Sequence, residues 1–395
     1  MAPGFQLISL SLSFIFSVLP ALFSIASAIN VIQRPSATHN NKYAITETWI
    51  RKAGTHAADA AMCCPLILSM RSARGAARKA LPESEARSTT IDLVLYTEKD
   101  SFGDDAVKFM ESRGVQVVDS MEDPIMSQAL NSQGFSFGED RLNKEKLVYL
   151  WDTRYDAVLQ IDYDVLFTED RAGTVDMLGT VAHGEKSMYT FTSCGSPIAG
   201  GILAVRPSEE LGTGFLHAVQ HGYFRNKEGY GGVYPENITA LTSTYRANIC
   251  SRNPLTLGQP GFIPCCIGEH SDTTAWCFAG AQTDQGILFH LAVDGEQDRR
   301  VMQDQQHEWG EVGVWQSTND PKPWELHKLP ELISHNREND IQKFREVWDA
   351  GQSAFLEDDA ECTAFYQEQF DIYDTCYTSG MSSSQAKECL DHNFA

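Results

Sequence analysis

The sequence predicts an α/β fold with helices layered on a mostly parallel sheet. Short, continuous apolar runs at residues 91–96 and 157–161 have the character of strands buried on both faces. Helical patterns separate them at the spacing of β-α units. With 395 residues, 42% of them apolar and 10% aromatic, the chain can bury a sizeable core.

Taken in order, residues 43–50 are the first predicted strand. The Ala-rich run 56–74 reads as a helix in spite of Pro65. A second strand follows at 91–96, a short amphipathic helix at 105–113 and a third strand at 114–118. Residues 141–153 read as a helix carrying Lys146. The strand 157–161 then runs into Asp162, Tyr163 and Asp164, with Val165, Leu166 and Phe167 prolonging the apolar run. Gly200 and Gly201 open another buried strand that ends at Val205. Residues 222–282 are rich in Gly, Pro, Asn and Cys without sustained periodicity, and are expected to form an irregular excursion of the kind that tends to be functional. A main domain is therefore expected over 41–345, with residues 346–395 as an appended module of short helices and three cysteines.

Charge excludes one class of partner. The chain has 53 acidic and 31 basic side chains, a formal −22, and such a field repels nucleic acid and anionic lipid surfaces. An anionic nucleotide can still bind where a cation and local Lys or Arg reverse that field.

The amino end points to the secretory pathway. Residues 7–28 are apolar and end in small residues, Ala26 and Ala28, at the offsets of a signal-peptidase site. The same stretch is long enough to act as a membrane anchor, so residues 1–28 are expected to be a signal peptide or an anchor. Either places the remainder in the lumen of the ER or Golgi, or outside the cell. The cysteine groups at 250–277 and 362–389 fit disulfide staples in an oxidising compartment; with no C-x-x-C pair, zinc is the weaker reading. Asn237, Ile238 and Thr239 form a glycosylation sequon in a polar loop.

The chemistry concentrates at Asp162 and Asp164. Residues two apart on a strand point the same way, so an extended tripeptide would present both carboxylates together. A hard divalent cation, Mn2+ or Mg2+, would relieve their repulsion and supply the positive charge that a diphosphate needs. A solvated strand end gives the same pattern in a chain this acidic, so the pair takes its meaning from its company.

That company is a string of motifs in order. Lys146 and Leu147 stand sixteen residues before Asp162 and Tyr163, and Tyr155 and Asp156 stand seven and six before Asp162. Downstream come residues 200–208, running from Gly200 through Val205 to Pro207 and Ser208. Asp284, Gln285 and Gly286 follow, and then Lys322, Pro323 and Trp324. Together they resemble family 8 of the glycosyltransferases, the group that includes glycogenin and galactinol synthase, over about residues 43–324.

The resemblance implies a GT-A, Rossmann-like nucleotide-diphospho-sugar transferase fold, here with a disulfide-containing insertion and a C-terminal extension. It implies transfer of a hexosyl group from a UDP-sugar, with retention, to a glycan, lipid or protein acceptor. It also implies Mn2+ (or Mg2+) on Asp162 and Asp164, and Asp284 and Gln285 beside the reacting carbon. Lys146, Tyr163, Gly200, Gly201, Lys322 and Trp324 would line the donor, although Trp324 equally suits a core. Two departures stand out: Ala199 replaces the family's Asn, and no His occupies residues 314–321, where the family carries a third metal ligand. The alternatives are a secreted binding protein that keeps the shell without turnover, and a metal-dependent nucleotidyltransferase.

Overall fold

A computed structural model of the chain describes residues 40–49, 60–98, 100–131, 145–168, 175–191, 198, 200–220, 284–293, 301–304, 314–316, 322–335, 337–377, 385, 388–390 and 392. The expected signal peptide or anchor, the excursion at 222–282 and the sequon at Asn237 lie outside these residues.

The expected α/β fold with a mainly parallel sheet is observed. Its strands are β1 (Lys42–Trp49), β2 (Thr90–Thr97), β3 (Val115–Asp119), β4 (Ala157–Ile161), β6 (Met188–Phe191), β7 (Ile202–Val205) and β8 (Val301–Asp304). They lie in the order β3-β2-β1-β4-β7-β6-β8. All pairings are parallel except those of β7, which runs against both β4 and β6. The order β3-β2-β1-β4 is that of a Rossmann-type half, whose chain reverses its direction of growth between β1 and β4.

Helices cover both faces. On one lies α1 (Ala60–Ala80), which contains Pro65 near its amino end and carries Arg78 and Lys79 in its last turn, where cations suit the helix dipole. It packs on β1 and β2, in a core that includes Tyr43, Ile45, Leu93, Leu95, Leu159 and Ile161. On the other face lie α5 (Glu209–Gln220), α6 (Asp284–Val293) and the 3-10 helix Lys146–Trp151, packed on Ala44, Val94, Val158 and Leu203. The intervening helices are α2 (Asp104–Glu111), α3 (Pro124–Leu130) and α4 (Met177–His183). Alternate residues of each strand feed opposite layers, which is why the strands read as unbroken apolar runs.

Two expectations change in detail. The segment carrying Lys146 is a 3-10 helix, not a regular α-helix, over its described residues. Val165, Leu166 and Phe167 do not prolong β4; they form β5 (Val165–Phe167), which pairs antiparallel with β9 (Val314–Gln316) in a separate two-stranded sheet. The chain therefore leaves the main sheet at Asp162.

Residues beyond 322 complete the first face with α7 (Leu329–Ser334), α8 (Glu338–Asp349) and α9 (Ala360–Tyr377). Trp348, Leu356, Tyr366 and Phe370 enter the same core as α1. Arg71 and Arg113 reach across to Asp358 and Asp359, with contacts of 2.6 and 2.7 Å. A disulfide joins Cys64 of α1 to Cys362 of α9, and another joins Cys376 to Cys389. The sequence spacing did not reveal these partners. The first closes a loop of 298 residues. Cys64→Ser with Cys362→Ser should lower the unfolding free energy by about 2–5 kcal/mol. Denaturant titration checks this, and an unchanged midpoint would show that the staple adds no stability.

Candidate active site

At the carboxyl edge of the sheet, Asp162 leaves β4 and the chain turns at once. The amide of Val165 donates to the Asp162 carbonyl over 2.9 Å, closing a turn around Tyr163 and Asp164. The expectation of an extended tripeptide is therefore corrected: the two carboxylates are carried by a turn, and strand alternation does not place them. Packing holds the turn instead. The Trp324 indole N–H donates to the Tyr163 carbonyl over 3.2 Å, and the Lys322 ammonium lies 5.1 Å from the Tyr163 ring centre. Trp49, at the end of β1, packs edge-on against the same ring at 5.1 Å.

Because β7 runs against β4, its leading glycines arrive at this edge, and the Asp162 amide donates to the Gly201 carbonyl over 2.9 Å. Gly200 allows the first turn of α6 to come close. A Cβ there would lie 2.6 Å from Asp284 Oδ2 and 3.0 Å from Gln285 Cγ. Gly200→Ala is thus expected to displace the Asp284 and Gln285 side chains from the edge, at a cost of about 1–3 kcal/mol. If the site is catalytic, it should remove most of the activity as well, and wild-type activity with wild-type stability would show that the close approach is unnecessary.

Lys146 joins the two acidic residues. Its Nζ is 2.6 Å from Asp284 Oδ2 and 3.3 Å from each oxygen of Asp162. The lysine side chain is 12% exposed and that of Asp284 6%, whereas Asp162 keeps 30% of its surface open. Burial alone would discharge the lysine, but Asp162 and Asp284 outweigh it and hold its pKa above the ordinary lysine range. For Asp162, burial acts upward, Lys146 downward and the Asp284 charge upward, with a net rise. A hydrogen bond from Gln160 favours its charged form.

Of the residues expected at the site, Lys146, Asp162, Gly200, Gly201, Asp284 and Gln285 come together on one side of the edge. Tyr163, Lys322 and Trp324 meet at the turn. Trp324 is fully buried among Trp315 and Phe344, so it is a core residue that supports the turn. Sequence reading missed Tyr149, whose buried hydroxyl has no hydrogen-bond partner among the described residues. Burial and then the charges of Asp284 and Asp162 raise its pKa. It also missed Glu47, a buried acid in β1 on which Asp162 and Asp164 act. Its signal was present: a charged residue inside an otherwise buried strand.

Among the described residues, no cluster of three or more His, Cys, Asp or Glu side chains has metal-ligating geometry.

No protein-family model matches the chain. No curated protein sequence matches it. The solved structures similar to it include glycosyltransferases. Mouse xyloside xylosyltransferase 1 shares 9% identity over 70% of this chain and 98% of its own, with a TM-score of 0.33. The galactosyltransferase LgtC, solved with donor and acceptor sugar analogues, shares 12% over 71% and 89%, with a TM-score of 0.30. The bifunctional glycosyltransferase WbbM shares 10% over 47% of this chain, with a TM-score of 0.30, and this chain spans only 35% of its length. Likenesses this loose leave the functional reading to the residues themselves.

Proposed function

We propose that the chain is a GT-A glycosyltransferase resembling family 8, which transfers a hexosyl group from a UDP-sugar to a glycan, lipid or protein acceptor with retention. One observation carries this reading. Motifs scattered from Lys146 to Lys322 meet at the carboxyl edge of the sheet, beside the β1/β4 switch point where open α/β sheets bind ligands.

In this reading, Asp162 and Asp164 hold Mn2+ or Mg2+, which when bound offsets the charge on the departing diphosphate. Lys322, held over Tyr163 beside the turn, offers a point charge to a phosphate oxygen. Lys146 fixes Asp284 and Asp162 relative to each other, so that Asp284 and Gln285 face the transferred sugar from a set distance. Gln285 Oε1 is enclosed without a hydrogen-bond partner among the described residues, which leaves an acceptor for a sugar hydroxyl. The two disulfides support a lumenal or secreted location in the ER–Golgi route.

A second reading, a binding protein without turnover, is favoured by the Lys146 contacts, because they already balance Asp162 as a purely structural ion pair would. Incubating purified protein with Mn2+ and a panel of UDP-sugars, with and without EDTA, separates the two. Metal-dependent UDP release from one donor is the expected result. The absence of both UDP release and UDP binding would overturn the transferase.

A further inference from the structure

We infer that Glu47 is a neutral carboxylic acid that positions the turn bearing Asp162 and Asp164 through the hydroxyl of Ser69. That the turn serves donor binding rests on the transferase reading above; the proton on Glu47 does not.

Glu47 lies near the end of β1 and is fully buried. One of its oxygens, Oε1, is hydrogen-bonded to Ser69 Oγ of α1. Ser69 Oγ also lies 2.8 Å from the carbonyl oxygen of Val165, the residue that closes the turn. A serine hydroxyl has one proton to donate, whereas a carbonyl oxygen and an ionised carboxylate can only accept. If Glu47 were ionised, one of the two contacts would set acceptor against acceptor inside the protein. With the proton on Glu47 both are satisfied: Glu47 donates to Ser69, and Ser69 donates to Val165.

The other carboxyl oxygen agrees. Glu47 Oε2 is buried and has no hydrogen-bond partner among the described residues. A bare, charged oxygen in that position is far more costly than a neutral one. The surroundings act in the same direction, with burial first and then Asp162 and Asp164 raising the Glu47 pKa well above the usual carboxylate range, against the Ser69 hydrogen bond. Ser72 extends the seam, because its hydroxyl accepts from the Phe167 amide at 3.1 Å. α1 therefore grips β5 at both ends, and Glu47 locks the end beside the carboxylate pair. As a neutral acid it does so without adding a third negative charge there.

Three measurements on the full chain test this. An infrared difference spectrum, wild type minus Glu47→Gln, should contain the carbonyl band of a protonated carboxylic acid at neutral pH. Its absence would overturn the assignment. Hydrogen exchange at the Val165 amide should be about tenfold faster in Glu47→Leu and within about twofold of wild type in Glu47→Gln, whose amide can still donate to Ser69. If Glu47→Leu does not fold, Ser69→Ala should show the same tenfold effect. Equal exchange in all variants would overturn the positioning role. UDP binding by calorimetry is the third arm, with weakening in Glu47→Leu and rescue in Glu47→Gln expected. A wild-type chain that binds no UDP would refute the transferase reading, while the infrared band and the exchange rates still decide Glu47.

Discussion

Lys146→Met is expected to lower the unfolding free energy by about 3–5 kcal/mol, the usual range when one partner of a buried ion pair is removed. The geometry explains the size. Lys146 is the cation between Asp284, at 2.6 Å, and Asp162, at 3.3 Å, and Asp284 is almost completely enclosed. A methionine of similar length fills the space but leaves two carboxylates facing each other. Guanidinium unfolding measures the effect, and a loss below about 1 kcal/mol would mean that the ion pair is no stronger than a surface one. Activity should fall with stability, since Asp284 and Asp162 would no longer be held together.

Asp162→Asn should separate function from folding. The amide keeps the shape of the side chain and an oxygen for Lys146, and the Lys146–Asp284 pair remains. Stability is therefore expected to stay within about 1 kcal/mol of wild type. Metal-dependent UDP release should drop about a hundredfold or more, equivalent to roughly 2.7 kcal/mol, because half of the carboxylate pair has lost its charge. Release at the wild-type rate would sink the metal assignment. Together the variants discriminate between a site kept for chemistry and an ion pair kept for structure.

Much of the fold was legible in local sequence. The strand at 157–161 was placed to the residue, and β1, β2 and β3 were placed to within a residue, because strands buried on both faces leave unbroken apolar runs. The helix with Pro65 was also legible, though it continues to Ala80. The conformation at Asp162 was not. Its apolar flanks read as one strand, whereas the chain turns and Val165 changes sheets. Trp324 carried the same ambiguity, since an aromatic residue suits a core and a ligand equally, and only its packing against Trp315 and Phe344 resolves it.

The sequence by itself determined the supply of chemistry: an acidic pair, two lysines, a paired glycine and the Asp284–Gln285 segment, in a fixed order along an α/β chain. Those are properties of residue type and short-range period. Which group meets which was decided by the tertiary structure alone. The antiparallel course of β7 brings Gly200 and Gly201 to the end of β4, and Gly200 admits Asp284 to within reach of Lys146. The links that build the site, from residue 47 to 69 to 165 and from 146 to 162 to 284, cross most of the chain. Pairings of that range are set by sheet order and helix packing, and no local pattern encodes them.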